Sequence, residues 1–114
     1  MEDIVKNGYL YDFYGVLLTE HQREVYEEAY FNDCSLSEIA DEFGISRQAA
    51  HDLIKRCDKI LNEYEEKLGL LQKFLDMKQD VERMKEITRG IENKDNKKEI
   101  EELKLLEDKI YNLL

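Results

Sequence analysis

The chain has 114 residues, of which 39% are charged and none is proline, and its formal net charge is −10. That length fits one domain, or a small domain with a helical extension. High charge with plentiful Leu, Glu and Lys favours long exposed helices over a sheet. No apolar run approaches the ~20 residues that span a bilayer, and the start Met1-Glu2-Asp3-Ile4-Val5-Lys6 lacks the cationic region and apolar core of a signal peptide. The expectation is a cytoplasmic protein with no membrane partner.

The charge is unevenly spread. Residues 1–45 carry −9, residues 46–60 carry +2 and residues 61–114 carry −3. The locally basic stretch holds Arg47, Lys55, Arg56 and Lys59 against Asp52 and Asp58.

In chain order, Asn7–Leu18 is dense in aromatics: Tyr9, Tyr11, Phe13 and Tyr14 are too close together for one amphipathic face. They predict a short helix packed on two sides, as core or as a dimer interface, ending near Gly15 in a left-handed cap. Thr19 caps the next helix, with Glu20 and Glu24 at the positive end of its dipole. Val25, Ala29 and Tyr30 are its buried stripe, and Asn32-Asp33 stops it. Ser35-Leu36-Ser37-Glu38 has the pattern of a capping box. A short helix follows with Leu36, Ile39, Ala40 and Phe43 inward. Gly44 makes the sharp turn, Ile45 fills the angle and Ser46 caps the next helix. This order predicts a helix-turn-helix.

The second motif helix, about Arg47 to Lys67, is continuous by its apolar steps of three and four. Ala50, Leu53, Ile54, Cys57, Ile60, Leu61, Tyr64 and Leu68 form the stripe, which makes Cys57 a small buried hydrophobe. The opposite face presents Arg47, Gln48, His51, Asp52, Lys55 and Lys59. Gly69 allows a break. Beyond it Leu70, Phe74, Met77, Val81, Met84 and Ile91 fall on a heptad track, with Thr88 as its polar member. Asn93-Lys94-Asp95-Asn96 is a polar turn, and a last helix from about Lys97 carries Ile100, Leu103, Leu106, Ile110 and Leu113. The expected architecture is all-α: a helix-turn-helix domain over residues 1–69 and a coiled-coil-like helical hairpin over 70–114, coupled by the long second motif helix.

No catalytic constellation is recognisable, and neither a glycine-rich phosphate loop nor a nucleophile elbow is present. Cys34 and Cys57 form no CxxC pair, and with His21 and His51 they complete no metal-ligand spacing. The expectation is a non-enzymatic protein without metal, disulfide or cofactor. The motif does offer a route to nucleic acid. A helix N-terminus presents free N–H groups to phosphate, and Arg47 and Gln48 have the chemistry to read guanine and adenine. Ser46, Arg47, Gln48, His51, Lys55, Arg56 and Lys59 are the candidate nucleic-acid-binding residues. Asp52, in the middle of the face, and the small number of bases argue for weak binding by a monomer. The heptad residues Phe74, Met77, Val81 and Met84 are the candidate oligomer interface of a homodimer.

Leu18-Thr19-Glu20-His21-Gln22-Arg23-Glu24-Val25, Ser35-Leu36-Ser37-Glu38-Ile39-Ala40 and Gly44-Ile45-Ser46-Arg47-Gln48-Ala49 resemble the promoter-reading region four of bacterial sigma factors. More closely, Leu10-Tyr11-Asp12-Phe13-Tyr14-Gly15, Leu17-Leu18-Thr19, Ser46-Arg47-Gln48-Ala49, Asp52, Ile54-Lys55-Arg56 and Tyr64-Glu65-Glu66-Lys67-Leu68 resemble the YlxM family, over about residues 7–75. These are small helix-turn-helix proteins of Gram-positive bacteria. The resemblance implies a protein encoded beside components of the signal recognition particle, acting as an accessory factor in protein targeting through the particle's RNA or its GTPase protein. Ala49 and Asp52 stand where sigma-type readers contact bases, which disfavours promoter recognition. A DNA-binding regulator and a protein–protein adaptor that reuses the motif as a scaffold are the alternatives.

Overall fold

A computed structural model describes residues 3–91 and 96–113. The described residues are helical, with no strand among them. They divide into two compact units, residues 1–71 and 72–114. The helices are α1 (Asp3–Tyr14), α2 (Glu20–Tyr30), α3 (Leu36–Phe43), α4 (Arg47–Leu68), α5 (Leu70–Gly90) and α6 (Lys97–Leu113), with one 3-10 turn at Gly15–Leu17.

The first unit is organised by α4, against which α1, α2 and α3 all pack. Its start signals work as the local sequence dictates. Thr19 Oγ1 accepts from the Gln22 N–H while Gln22 Oε1 accepts from the Thr19 N–H. Ser35 and Glu38 exchange the same pair of bonds. Ser46 Oγ accepts from the Ala49 N–H at 3.0 Å. Each cap satisfies an N–H that the first helical turn leaves without a partner, which stabilises by about 1 kcal/mol. Between α3 and α4 the chain turns at Gly44, whose φ of 66° lies in the left-handed region. There a side chain's Cβ would crowd the following carbonyl oxygen. Asp33, also left-handed at φ 51°, ends the link after α2; a short polar side chain tolerates that conformation.

Around the turn Val25, Ile39, Ala50 and Ile54 form a buried cluster, with Ala29, Tyr30, Leu36, Phe43, Ile45 and Leu53 packed onto it. Along α1 and the middle of α4, Leu10, Tyr14, Cys57 and Leu61 are almost fully enclosed. Here the aromatic cluster enters the core: Tyr26 stacks on Tyr11 at 5.4 Å between ring centroids and lies 4.4 Å from Tyr30. Tyr14 stacks on Tyr64 at 6.0 Å.

Three local expectations need correction. The first helix begins at Asp3, before the aromatic run starts. Gly15 is not a left-handed cap, because positive φ among the glycines falls at Gly44 and Gly69. It opens the 3-10 turn, and a Cβ there would meet the Tyr11 ring at 3.0 Å. Close approach, not backbone handedness, requires the glycine. Leu68, expected in the stripe of α4, is 49% exposed, because α4 ends there and Gly69 turns the chain at φ 64°.

Leu70 and Leu71, the first residues of α5, belong to the first unit. The Tyr14 hydroxyl accepts from the Leu70 N–H at 3.1 Å and donates to Glu65 Oε1 at 2.7 Å. That carboxylate oxygen also accepts from the Leu71 N–H at 2.9 Å. Two N–H groups of the new helix are thereby satisfied by side chains.

The second unit is a helical hairpin of α5 and α6. Arg83 forks onto Glu102, Nε to Oε1 at 2.7 Å and Nη2 to Oε2 at 2.9 Å. Lys109 Nζ donates to Asp80 Oδ1 at 3.1 Å, and Ile87 is buried. On α6 Leu103, Leu106 and Ile110 are half-buried, whereas Ile100 and Leu113, expected in the same stripe, are more open. The expected polar turn lies outside the described residues at 93–95. Asn96 is described, and its side-chain amide donates to the Ile91 carbonyl.

Candidate nucleic-acid interface

The apolar steps of α4 turn Ala50, Ile54, Cys57 and Leu61 into the core. The opposite side is thereby committed to solvent. Arg47, Gln48, His51, Asp52, Lys55, Arg56 and Lys59 are all exposed there, with Ser46 exposed at the N-cap. All six candidate residues of this helix, and Ser46 at its N-cap, are therefore open to solvent.

Their hydrogen bonds divide the surface into two parts. Near the N-terminus, Gln48 Nε2 donates to Asp52 Oδ1 at 2.8 Å, and His51 Nδ1 lies 3.4 Å from the same oxygen. Asp52 thus holds Gln48 and stands beside His51, so a base or phosphate must compete with it. Ser46 uses an oxygen lone pair in its cap and keeps its hydroxyl proton to donate. Leu36, Arg47, Gln48 and His51 line a shallow recess of about 450 Å3. Further along, Lys55, Arg56 and Lys59 line another recess with Ile60 and Glu63, about 500 Å3 in volume. Lys59 approaches Glu63 at 4.0 Å, an exposed pair of small energetic weight.

Asp58, the other acid of the basic stretch, is half-buried at the margin of this surface. It accepts from the Tyr26 hydroxyl at 3.0 Å and the Tyr30 hydroxyl at 2.8 Å. Burial first, and then this carboxylate, push both phenols well above the ordinary tyrosine range. Asp58 is therefore held by two phenols of α2 while it also borders the recess that contains Lys55.

Two contributors lie outside the reach of helix periodicity. Lys6 of α1 lines a third recess together with Lys55, Asn7 and Asn62, where Asp3 and Asp58 offset the two lysines. Leu36 of α3 supplies an apolar wall beside Arg47. Only a contact between elements places them there, and no local pattern marks them.

The candidate oligomer residues are on α5. Phe74 and Val81 are more than one-third exposed, and Met77 and Met84 are half-buried.

Residues 1–106 match the family described as "Putative helix-turn-helix protein, YlxM / p13 like". This chain belongs to that family. A UPF0122 protein of Caldanaerobacter subterraneus subsp. tengcongensis is 48% identical over 85 residues, covering 75% of this chain and 73% of the relative. UPF0122 proteins of Bacillus cereus strain AH187 and Bacillus anthracis strain A0248 are each 48% identical over 87 residues, covering 76% of this chain and 79% of the relative. In this YlxM-like chain the match takes in both α4 and the whole of α5. Among the described residues no helix is long and apolar enough to cross a membrane.

Proposed function

We propose that this chain is an accessory helix-turn-helix protein of the signal recognition particle pathway that contacts nucleic acid through the exposed face of α4. The observation that carries the nucleic-acid part is the gathering of Arg47, Lys55, Arg56 and Lys59 on the open side of the second motif helix. The hold of the Tyr26 and Tyr30 hydroxyls on the Asp58 carboxylate supports it further. The link to the pathway rests on the resemblance to proteins encoded beside the particle's components.

Arg47, in the first turn, sits where helix N–H groups and the dipole also favour phosphate. Lys55, Arg56 and Lys59 continue the contact along the backbone. Four phosphate contacts on a duplex give a salt slope of about −3.6. This face positions the helix on a backbone more than it reads bases, because Asp52 occupies Gln48. The same bond, with the strongly acidic remainder of the chain, favours a second reading: contact with the particle's GTPase protein, the motif serving as scaffold.

Binding of the full chain to three labelled targets at two salt concentrations tests this: the particle's RNA, its GTPase, and random duplex DNA. Salt-sensitive binding to the RNA that Arg47→Ala and Lys55→Ala each weaken is the expected result. Binding to the GTPase alone overturns the nucleic-acid reading. Equal affinity for random duplex points instead to a DNA-binding regulator.

A further inference from the structure

The heptad track of α5 has two edges, and they differ. The residues just to one side of it, Asp80 and Ile87, are buried within the hairpin. Asp80 is already engaged by Lys109, and Arg83 is turned onto Glu102. That edge is closed. The other edge carries Lys78 and Lys85, one heptad apart, and then Arg89, all exposed, with Glu82 the one acid between them. Between the edges Val81 and Met84 line a shallow recess of about 420 Å3 with Lys85, Thr88 and Arg89. Val81 is 42% exposed.

The result is an apolar strip with a cationic rim, in a chain whose net charge is −10. Symmetric pairing of two copies through this strip, parallel or antiparallel, brings Lys78 and Lys85 toward their own counterparts or toward an Asp80 that is already paired. Flanking charges of a heptad face select its partner, and these select against a second copy. They fit a helix with apolar residues at heptad spacing and Glu or Asp beside them.

We propose that the outer face of α5, centred on Val81 and Met84 and rimmed by Lys78, Lys85 and Arg89, is a docking site for an acidic amphipathic helix of a partner protein. The site shares no residue with the α4 face, and neither assignment depends on the other. Docking buries the apolar strip and sets the lysines against the partner's carboxylates.

The test uses the full chain and two synthetic helical peptides with leucines at heptad positions, one flanked by glutamates and the other by lysines. Fluorescence anisotropy reads their binding. The glutamate-flanked peptide is expected to bind at least about tenfold more tightly at low salt, a difference of ~1.4 kcal/mol. Lys78→Glu combined with Lys85→Glu should reverse that preference, and the neutral pair Lys78→Gln with Lys85→Gln should erase it. Val81→Asp should abolish binding of both peptides while circular dichroism stays unchanged. Equal binding of the two peptides, or binding of neither, overturns the proposal. So does sedimentation showing a dimer that Val81→Asp dissociates, which would make a second copy the occupant. Loss of RNA or DNA binding in the charge-reversed variant would assign the rim to phosphate instead.

Discussion

Among the described residues of 3–71 the buried side chains are apolar or tyrosine, and Tyr26, Val25, Leu10 and Cys57 have no exposed surface. Between residues 72 and 113 the described buried residues are Asp80 and Ile87, and the two helices are joined by Arg83–Glu102 and Lys109–Asp80. One unit is held by close packing around α4, an attraction that salt does not screen. The other relies on charge-assisted bonds, of which Arg83–Glu102 is exposed and weakens as salt screens it, while Lys109 reaches a buried Asp80. The comparison shows where each surface is free to act. A rigid core fixes the open side of α4, whereas the hairpin spends few of its apolar residues on itself.

The largest break in that contrast should come from the core. Leu61→Ala removes a side chain that is 1% exposed and should cost about 3 kcal/mol by urea denaturation, with little effect on the hairpin. Asp58→Ala should follow at about 2 kcal/mol, because it leaves the enclosed Tyr26 hydroxyl without its acceptor. Gly44→Ala should cost about 1 kcal/mol from backbone strain alone, since its Cβ would meet no neighbour. A Gly44→Ala protein as stable as the parent would contradict the turn geometry.

Titration sharpens the same contrast from both ends of the pH scale. Burial, and then its bond to Glu27, pushes Tyr11 up to about 12. Tyr14 is raised by burial and by Glu65, and Tyr26 and Tyr30 are raised further. A phenol held neutral by the fold contributes stability that is full below its ordinary pKa of ~10 and is lost as pH rises through the folded value. Absorbance at alkaline pH should therefore show these four of the seven tyrosines ionising late, together with unfolding. In the hairpin the sign reverses. The Arg83 fork holds the Glu102 carboxyl below the usual range. Its contribution is present above the unfolded carboxylate pKa of ~4.3 and is lost as pH falls through the lowered value. Glu102→Gln should remove that acid-side loss, and high salt should soften it. The smallest effect concerns thiols. The bond to Glu28 raises Cys34 to about 11 and burial raises Cys57 to about 11, so both should react slowly with a disulfide reagent at neutral pH.

What could be read in advance follows the range of the interactions. Ser35 with Glu38, Gly44, and Ser46 act within four residues, so their spacing was enough to place the motif. The periodicity of α4 likewise separated Cys57 from Lys55. Gly15 was misread because a glycine after a helix suits a left-handed cap and a close ring equally well, and only the Tyr11 ring position distinguishes them. The two phenol donors to Asp58 come from α2, so its role lies beyond the periodicity of α4. Lys6 and Leu36 joined the candidate surface, and Lys109 closed one edge of α5, through contacts between helices that no local pattern encodes.

The most direct test of the central claim is the salt dependence of RNA binding by the parent chain and by Arg47→Ala and Lys55→Ala. Each substitution should weaken binding and flatten the slope of log affinity against log salt by about 1, while Lys78→Gln leaves it unchanged. Slopes that stay the same in Arg47→Ala and Lys55→Ala would contradict the assignment of the α4 face.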